Sequence, residues 1–162
     1  MTKSTVIFVG GPITFARSNK KGFHPKLKSG LEQVIQTLEN KGMTVHSAHR
    51  VENFGEMDIS GKSNAITKRD YDWMISCDIF IAFLPDENGE ILRTDGTCVE
   101  LGWASSLGKP IILLRGKSQA RPLIDGLDAI ATVNIVMIEQ FIDDPSILLD
   151  VIDEMKNNIS QA

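Results

Sequence analysis

Short apolar runs alternate along the chain with segments of helical periodicity. Four runs are almost wholly apolar, which is typical of strands buried on both faces of a parallel sheet. They cover residues 6–9, 78–84, 110–114 and 134–138. A fifth and more polar run, at 43–49, follows Gly42, a residue that suits the end of a helix.

Between these runs, apolar residues recur at the spacing of a helix face. One helix is predicted before Gly42, and residues 63–77 and 97–107 predict two more. A last helix is expected to open at Asp144 and Pro145, a cap followed by proline at the first helical position. Residues 116–131 are interpreted as a basic loop with a short helix.

Strand and helix alternate about five times across residues 1–162, with no repeat and no linker. This pattern predicts one α/β domain with a doubly wound, five-stranded parallel sheet of flavodoxin-like or Rossmann-like type. Right-handed crossovers favour the strand order 2-1-3-4-5. Ligands bind beyond the carboxyl ends of the strands in such sheets, so a site is expected within 10–22, 49–62, 85–97 and 115–122.

The composition narrows the possible partners. The net charge of −4 argues against a general attraction to nucleic acid polymers, although a local pocket can still bind a small anion. No apolar stretch is long enough to span a membrane and none has the form of a signal peptide, so a cytoplasmic protein is expected. Cys77 and Cys98 lack metal-ligand spacing, and neither a metal nor a cofactor is predicted.

The loop after the first run, GGPITFARSNKKG, is rich in glycine but matches neither the Walker nor the dinucleotide fingerprint. Its glycines are compatible with ordinary turn chemistry. They are equally compatible with a binding loop, because Phe15 offers a stacking face and Arg17, Lys20 and Lys21 offer contacts to an anion.

His49 and Arg50 fall at the predicted carboxyl end of the second strand. Side chains at this position point towards the expected cleft, where they could bind an anionic or hydroxylated ligand. The alternative is structural, with His49 satisfied in the core and Arg50 paired with Glu52.

Two acidic residues fall where packing favours apolar ones. Asp70 lies on the same helix face as Ile66 and Trp73, and a buried carboxylate needs a partner, either a neighbouring loop or a ligand hydroxyl. Glu100 forms a capping-box pattern with Thr97, yet its helix follows the third strand and places it over the cleft. Two inward carboxylates beside a basic loop are suited to glycosidic chemistry.

Three segments carry a resemblance to a known family: FVGGP at 8–12, RDYDWMISCDIFIAFLP at 69–85 and GTCVELGWASSLGKPIILL at 96–114. Together they resemble the nucleoside 2-deoxyribosyltransferase superfamily. AHR-x-E-x-x-G at 48–55 and LIDGLDAIATVNI at 123–135 are similar to its branch of cytidine-monophosphate N-glycosidases. The resemblance covers most of residues 5–138.

The resemblance implies that Glu100 is the nucleophile that attacks C1′ of the sugar, and that Asp70 positions the substrate or handles a proton. It implies a small-molecule nucleotide or nucleoside as substrate and a homodimer or higher homo-oligomer, with Ile130 and Val133 available for the contact or for the core. The implied substrate-binding residues are Gly10, Gly11, Pro12, Phe15, Arg17, His49, Arg50, Asp95, Gly96 and Ser105.

The expected reaction is therefore hydrolysis of a CMP-like nucleoside 5′-monophosphate to free base and ribose or deoxyribose 5-phosphate. Transferases of the superfamily usually carry tyrosine where this chain has Phe8, and this difference favours hydrolysis over base exchange. Base exchange and a non-catalytic nucleotide sensor are the alternatives. A cytokinin-type phosphoribohydrolase is disfavoured, because the PGG expected before Gly96 is missing.

Overall fold

Five parallel strands form the central sheet of the computed structural model, which describes residues 4–18, 21–118 and 121–160. They run in the order β2-β1-β3-β4-β5, which confirms the predicted doubly wound α/β fold. The strands are β1 (Val6–Gly10), β2 (Thr44–Ser47), β3 (Ile79–Leu84), β4 (Ile111–Arg115) and β5 (Val133–Met137).

Helices connect the strands and cover the sheet. They are α1 (Pro25–Asn40), α2 (Ala48–Val51), α3 (Ser63–Ser76), α4 (Asp95–Ser106), α5 (Pro122–Asp125), α6 (Ile138–Asp143) and α7 (Ser146–Ser160). Two 3-10 turns, Thr14–Ala16 and Leu127–Ala129, and two antiparallel pairs of two-residue strands complete the fold. The pairs are Arg17–Ser18 with Gly22–Phe23, and Asp86–Glu87 with Glu90–Ile91.

Both faces of the sheet are buried, which explains the continuous apolar runs. Successive side chains of a strand point to opposite faces, so Ile7 and Val9 join the core that contains Leu31 and Leu148, under α1 and α7. Phe8 joins a second core on the other face, together with residues of α3 and α4. Within the described residues, no helix combines the length and hydropathy needed to cross a membrane.

Two local boundaries differ from the sequence prediction. Strand β2 ends at Ser47, and the side chain of Ser47 then accepts a hydrogen bond from the backbone N–H of Arg50 at the start of α2. Helix α4 begins at Asp95, two residues earlier than expected, because Thr94 caps it by accepting from the N–H of Thr97.

The predicted capping box of Thr97 and Glu100 is therefore wrong. Thr97 is the third residue of α4 and Glu100 the sixth, which is too far into the helix to reach the first amides. The side chain of Glu100 instead faces inward, on the stripe of α4 that also buries Leu101 and Ala104.

Candidate active site

A cavity of about 1130 Å³ lies beyond the carboxyl ends of the first two strands. The loop after β1, helix α2 with the turn that follows it, helix α3 and the start of α4 supply its walls. The predicted site residues that line it are Gly10, Gly11, Phe15, Arg17, His49, Asp70, Asp95, Gly96 and Glu100.

Glu100 lies at the inner wall of this cavity. Only 8% of the residue is exposed, and its Oε2 atom is buried with no hydrogen-bond partner in the part of the chain that the structure describes. A side chain on Gly10 would overlap this carboxylate and press on the ring of Phe80. Glycine at position 10 therefore gives Glu100 its place against the end of β1.

The surroundings of Glu100 favour its protonated form. Burial raises its pKa well above the usual range, and the negative charges of Asp70 and Glu52 act in the same direction. Arg69 partly opposes them. A buried acid without a partner, next to other acids in a cavity, is the kind of group that functional sites contain.

Asp70 is buried on α3, as its helical position predicts, and the guanidinium of Arg69 is its partner. Arg69 Nε donates to Asp70 Oδ1 at 2.8 Å, and Nη2 donates to Glu52 Oε1 at 2.7 Å. Burial raises the pKa of Asp70 and Glu52 adds to this, whereas Arg69 opposes the rise. Three carboxylates and one guanidinium thus form the inner end of the site.

Arg69 also lies on this side of α3, three residues after Ile66 and four before Trp73. Its guanidinium carbon lies 4.7 Å from the centre of the Trp73 ring, and its Nε and Nη2 atoms donate to the acids. Glu52 was expected only as a possible partner of Arg50. The sequence signal that could have identified Glu52 as a site residue was its position in the AHR-x-E-x-x-G motif.

His49 forms part of the wall as a neutral imidazole. It is fully buried, with Phe23 and Phe54 edge-on or tilted against its ring, and burial lowers its pKa to about 4. Its Nε2–H donates to the Pro12 carbonyl at 3.0 Å, which ties α2 to the loop after β1. The Nδ1 atom is buried and makes no hydrogen bond to any described residue.

The mouth of the cavity is more open and carries positive charge. Phe15 is 41% exposed, and the guanidinium of Arg93 lies 4.6 Å from the centre of its ring. Arg93 also makes a two-point ion pair with Asp95, at 2.9 and 2.8 Å, which lowers the pKa of that carboxyl group. On the opposite side, Arg17 donates to the carbonyl of Gly55.

Three of the predicted binding residues do not line the cavity. Pro12 contributes its carbonyl to His49, as described. Arg50 points away because α2 begins directly after β2, and its guanidinium binds Glu39 at 2.6 Å and the Val45 carbonyl at 2.9 Å. Ser105 lies near the far end of α4 and donates back to Gly102 at 3.0 Å.

Other residues from the sequence interpretation also have defined places. Lys20 lies outside the described residues. Phe8 is fully buried against Trp73 and Phe80, so its ring does not form the cavity wall. Among the described residues, no group of three or more histidine, cysteine, aspartate and glutamate side chains could hold a metal ion.

Comparison with known proteins identifies the family of the chain. The profile of the nucleoside 2-deoxyribosyltransferase family matches residues 7–145, a span that includes both Asp70 and Glu100. No curated protein sequence matches the chain significantly.

Solved structures of similar fold include the CMP N-glycosidase BcmB of Clostridium botulinum. It is 29% identical, with a TM-score of 0.57, over 82% of this chain and 88% of that one. BlsM is 26% identical, with a TM-score of 0.66, over 85% of each chain. A 2-deoxyribosyltransferase of Bacillus psychrosaccharolyticus shares the fold at 21% identity and a TM-score of 0.55, over 78% of this chain and 82% of that one. The chain belongs to the nucleoside 2-deoxyribosyltransferase family.

Proposed function

We propose that the protein is a nucleotide N-glycosidase that hydrolyses a pyrimidine, CMP-like nucleoside 5′-monophosphate to free base and (deoxy)ribose 5-phosphate. The observation that carries the proposal is the buried, unpartnered carboxylate of Glu100 in the same cavity as Asp70. The family is enzymatic and acts on nucleosides and nucleotides, and a CMP N-glycosidase is among the structures of similar fold.

The first step is displacement at the anomeric carbon. A Glu100 oxygen attacks C1′ of the sugar, a C1′–O ester bond forms, and the C1′–N bond to the base breaks. The bonding electrons leave with the base, which takes up a proton. The glycosyl group is then held as an ester on α4, at the wall beside Gly10.

The acids supply the proton that the base needs. We assign this proton to Glu100 at rest, because burial and Asp70 raise the pKa of Glu100 well above its ordinary range, whereas Arg69 opposes the rise in the pKa of Asp70. As the substrate binds, the proton passes from Glu100 to Asp70 and from there to the departing base. Glu100 is thereby free to attack as a carboxylate, and Asp70 returns to its ion pair.

Water completes the reaction. It attacks C1′ of the ester, its hydroxyl group remains on the sugar, and the second proton returns to Glu100. The overall change is substrate plus water to base plus sugar phosphate, with both acids restored.

The remaining predicted residues are assigned to binding. Phe15 at the cavity mouth is proposed to stack on the base, with Arg17 in contact with the phosphate. The backbone of Gly10, Gly11 and Gly96 allows close approach of the ligand. Both carboxylate oxygens of Asp95 accept hydrogen bonds from Arg93. Asp95 can therefore bind substrate only together with Arg93, or after this ion pair breaks.

A panel of nucleoside 5′-monophosphates, nucleosides and their deoxy forms tests the proposal. Wild-type protein should release free base from a pyrimidine monophosphate, and Glu100→Ala should release none. Glu139→Gln is the matched control, because it neutralises an exposed glutamate that pairs with Lys117 on the surface. The absence of free base with every substrate, or equal release by wild type and Glu100→Ala, would contradict hydrolysis.

Base exchange is the second candidate, favoured by the family to which the chain belongs. The two reactions share the ester on Glu100 and differ in the acceptor. Adding a second free base to the same assay separates them, because only exchange produces a new nucleoside or nucleotide. Tight nucleotide binding with no turnover would instead indicate a sensor.

We also propose a cytoplasmic homodimer. Tyr71 packs edge-on against Trp103. One helical turn from one or other of these residues, Ile75 of α3, Val99 of α4 and Leu107 at the end of α4 are exposed, and they give an apolar surface on the helices that carry the two acids. Of the residues considered from sequence, Ile130 is 74% exposed, whereas Val133 packs against the core. Light scattering should show twice the monomer mass, and Val99→Glu should reduce it.

A further inference from the structure

Arg69 joins two acids that belong to different parts of the cavity wall. Asp70 is its neighbour on α3, and Glu52 lies in the turn after α2. Both acids line the cavity and both are buried. Of the described residues, Arg69 is the one whose guanidinium contacts either of these carboxylates.

The guanidinium of Arg69 is held in place by an aromatic ring as well as by the two carboxylates. It lies over the ring of Trp73, which in turn stacks on His46 at 5.1 Å and meets Phe8 edge-on at 5.7 Å. The side chain of Arg69 is only 20% exposed, whereas that of neighbouring Lys68 is 76% exposed. A partly buried, stacked arginine whose Nε and Nη2 both donate to carboxylates has a restricted orientation.

Glu100 receives no hydrogen bond from Arg69, although both belong to the same group of charges. The single positive charge is therefore placed next to Asp70 and Glu52, and Glu100 is left without a counter-ion. This unequal placement gives chemically similar acids different surroundings, because Asp70 has a counter-ion that favours its charged form and Glu100 has none.

We propose that Arg69 is a positioning residue of the N-glycosidase reaction, which holds Asp70 and Glu52 against the cavity wall and keeps Asp70 ionised until it accepts the proton from Glu100. The inference rests on the proposed function. It assigns to Arg69 an effect on the order of proton transfer, in addition to its contribution to the fold.

Charged and titratable groups on every neighbouring element act on this assembly. Glu52 faces it from the turn after α2, Glu100 from α4, and His46 from β2 through the Trp73 ring. Around the rim of the cavity are Arg17, Asp58 and Asp95. Because Arg69 opposes the rise in the pKa of both Asp70 and Glu100, its removal should raise the pKa of both acids.

The test compares Arg69→Lys and Arg69→Met, with Lys68→Met as the matched control. Lys68 is on the same helix and forms an exposed ion pair with Asp72, so its loss removes a charge without touching the cavity. For Arg69→Met, kcat on the pyrimidine monophosphate should fall by about 10–100-fold, the range for a lost charged hydrogen-bond pair. Arg69→Lys should recover part of the loss, and Lys68→Met should match wild type.

The pH dependence of activity is the measurement that would not change if Arg69 had only a structural role. The acidic limb of kcat/KM should shift to higher pH in Arg69→Met and remain in place in Lys68→Met. Carboxyl ¹³C NMR of the free protein should show the same upward shift of the Asp70 midpoint, without any need for turnover. Arg69→Gln keeps a polar side chain but removes the charge, and it serves as a second variant if Arg69→Met does not fold.

The outcomes distinguish the inference from the proposed function. Suppose that wild type is active and that Arg69→Met has an unchanged kcat, an unshifted pH profile and an unshifted Asp70 midpoint. This result would overturn the role of Arg69 and leave the proposed N-glycosidase reaction intact. If Arg69→Met is unfolded, Arg69→Gln with unaltered Asp70 titration would overturn it equally. If wild type is inactive but the Asp70 midpoint shifts in Arg69→Met, the N-glycosidase reaction is refuted and the electrostatic effect of Arg69 on Asp70 is retained.

Discussion

The carboxylate of Glu100 occupies the space that a side chain at Gly10 would require. Gly10→Ala should therefore displace the proposed nucleophile, because the end of β1 cannot yield as easily as the carboxylate. We expect kcat to fall by about 100-fold, the scale for a misplaced reacting group. Steady-state kinetics with the pyrimidine monophosphate measures it.

Gly102→Ala is the control for this change. Gly102 lies on the same helix as Glu100, and a methyl group there meets no atom within 4 Å. It should keep wild-type kcat and increase stability by about 1 kcal/mol, because alanine is the better helix former. Equal activity of both alanine variants would contradict the close fit of Gly10 and Glu100.

Glu100→Gln should abolish turnover and at the same time stabilise the fold. The folded protein raises the pKa of Glu100, so ionisation of this group costs stability above its unfolded pKa, and the cost grows as the pH rises towards the folded value. A neutral amide avoids that cost. At neutral pH we expect Tm to rise by about 3 °C, which corresponds to roughly 1 kcal/mol for a chain of this size.

The sign of this effect depends on pH. Near pH 4 the acid is protonated in both states, so the advantage of Glu100→Gln over wild type should disappear there. The surface variant Glu139→Gln should show no such trend. An advantage that is equal at pH 4 and pH 7.5 would refute the assignment of a raised pKa.

His49 should make the protein less stable in acid. Its pKa in the fold is about 4 against an ordinary value of 6.5, so the unfolded chain binds an additional proton between these values. Stability is thus lost as the pH falls from about 6.5 to about 4, by about 3 kcal/mol for a shift of this size. Urea unfolding of wild type and His49→Gln over this range isolates the effect, since the acids contribute to both curves.

His24→Gln provides the comparison, because His24 is exposed at the start of α1. Its curve should run parallel to that of wild type, whereas the curve of His49→Gln should fall less steeply with acid. If all three curves run parallel, then His49 does not titrate as a buried neutral imidazole.

Phe15 should control substrate affinity more than rate. Its half-exposed ring at the mouth has the guanidinium of Arg93 over one face, so a base is expected to stack on the part of the ring that remains exposed. Phe15→Ala should raise KM by about 10-fold, as expected for the loss of one stacked base, with kcat little changed. Leu123→Ala, an apolar truncation at a fully open surface position, should change neither, and a KM equal to wild type in Phe15→Ala would disprove the stacking role.

The layered fold was accessible from the sequence because a sheet buried on both faces imposes a continuous apolar pattern. Asp70 was identified for the same reason: a single acid on the apolar stripe of α3 is conspicuous. The start of α4 could not be predicted, because Asp95-Gly96 is typical of a turn and both Thr94 and Thr97 can cap a helix. Only the tertiary position of Thr94 determines which of them does.

Long side chains were the other limit. Helical position places Arg69 beside Trp73, but it does not show that the guanidinium also reaches Glu52 in the turn after α2. Arg50, next to His49 in sequence, turns outward to Glu39 because α2 starts without a connecting loop. Such choices depend on which partners the fold brings near, and periodicity carries no information about them.

The burial of Glu100 also bears on the lifetime of the ester that is proposed to form on it. Because Gly10 is close to the carboxylate and only 8% of Glu100 is exposed, we expect an acceptor to approach from the cavity, through the space that the departed base has left. Water and a new base then compete for the same space beside the ester, and the ratio of hydrolysis to base exchange depends on how quickly each of them enters it. Hydrolase and transferase are, in this geometry, two outcomes of the same competition, separated by the residence time of the leaving group at the mouth.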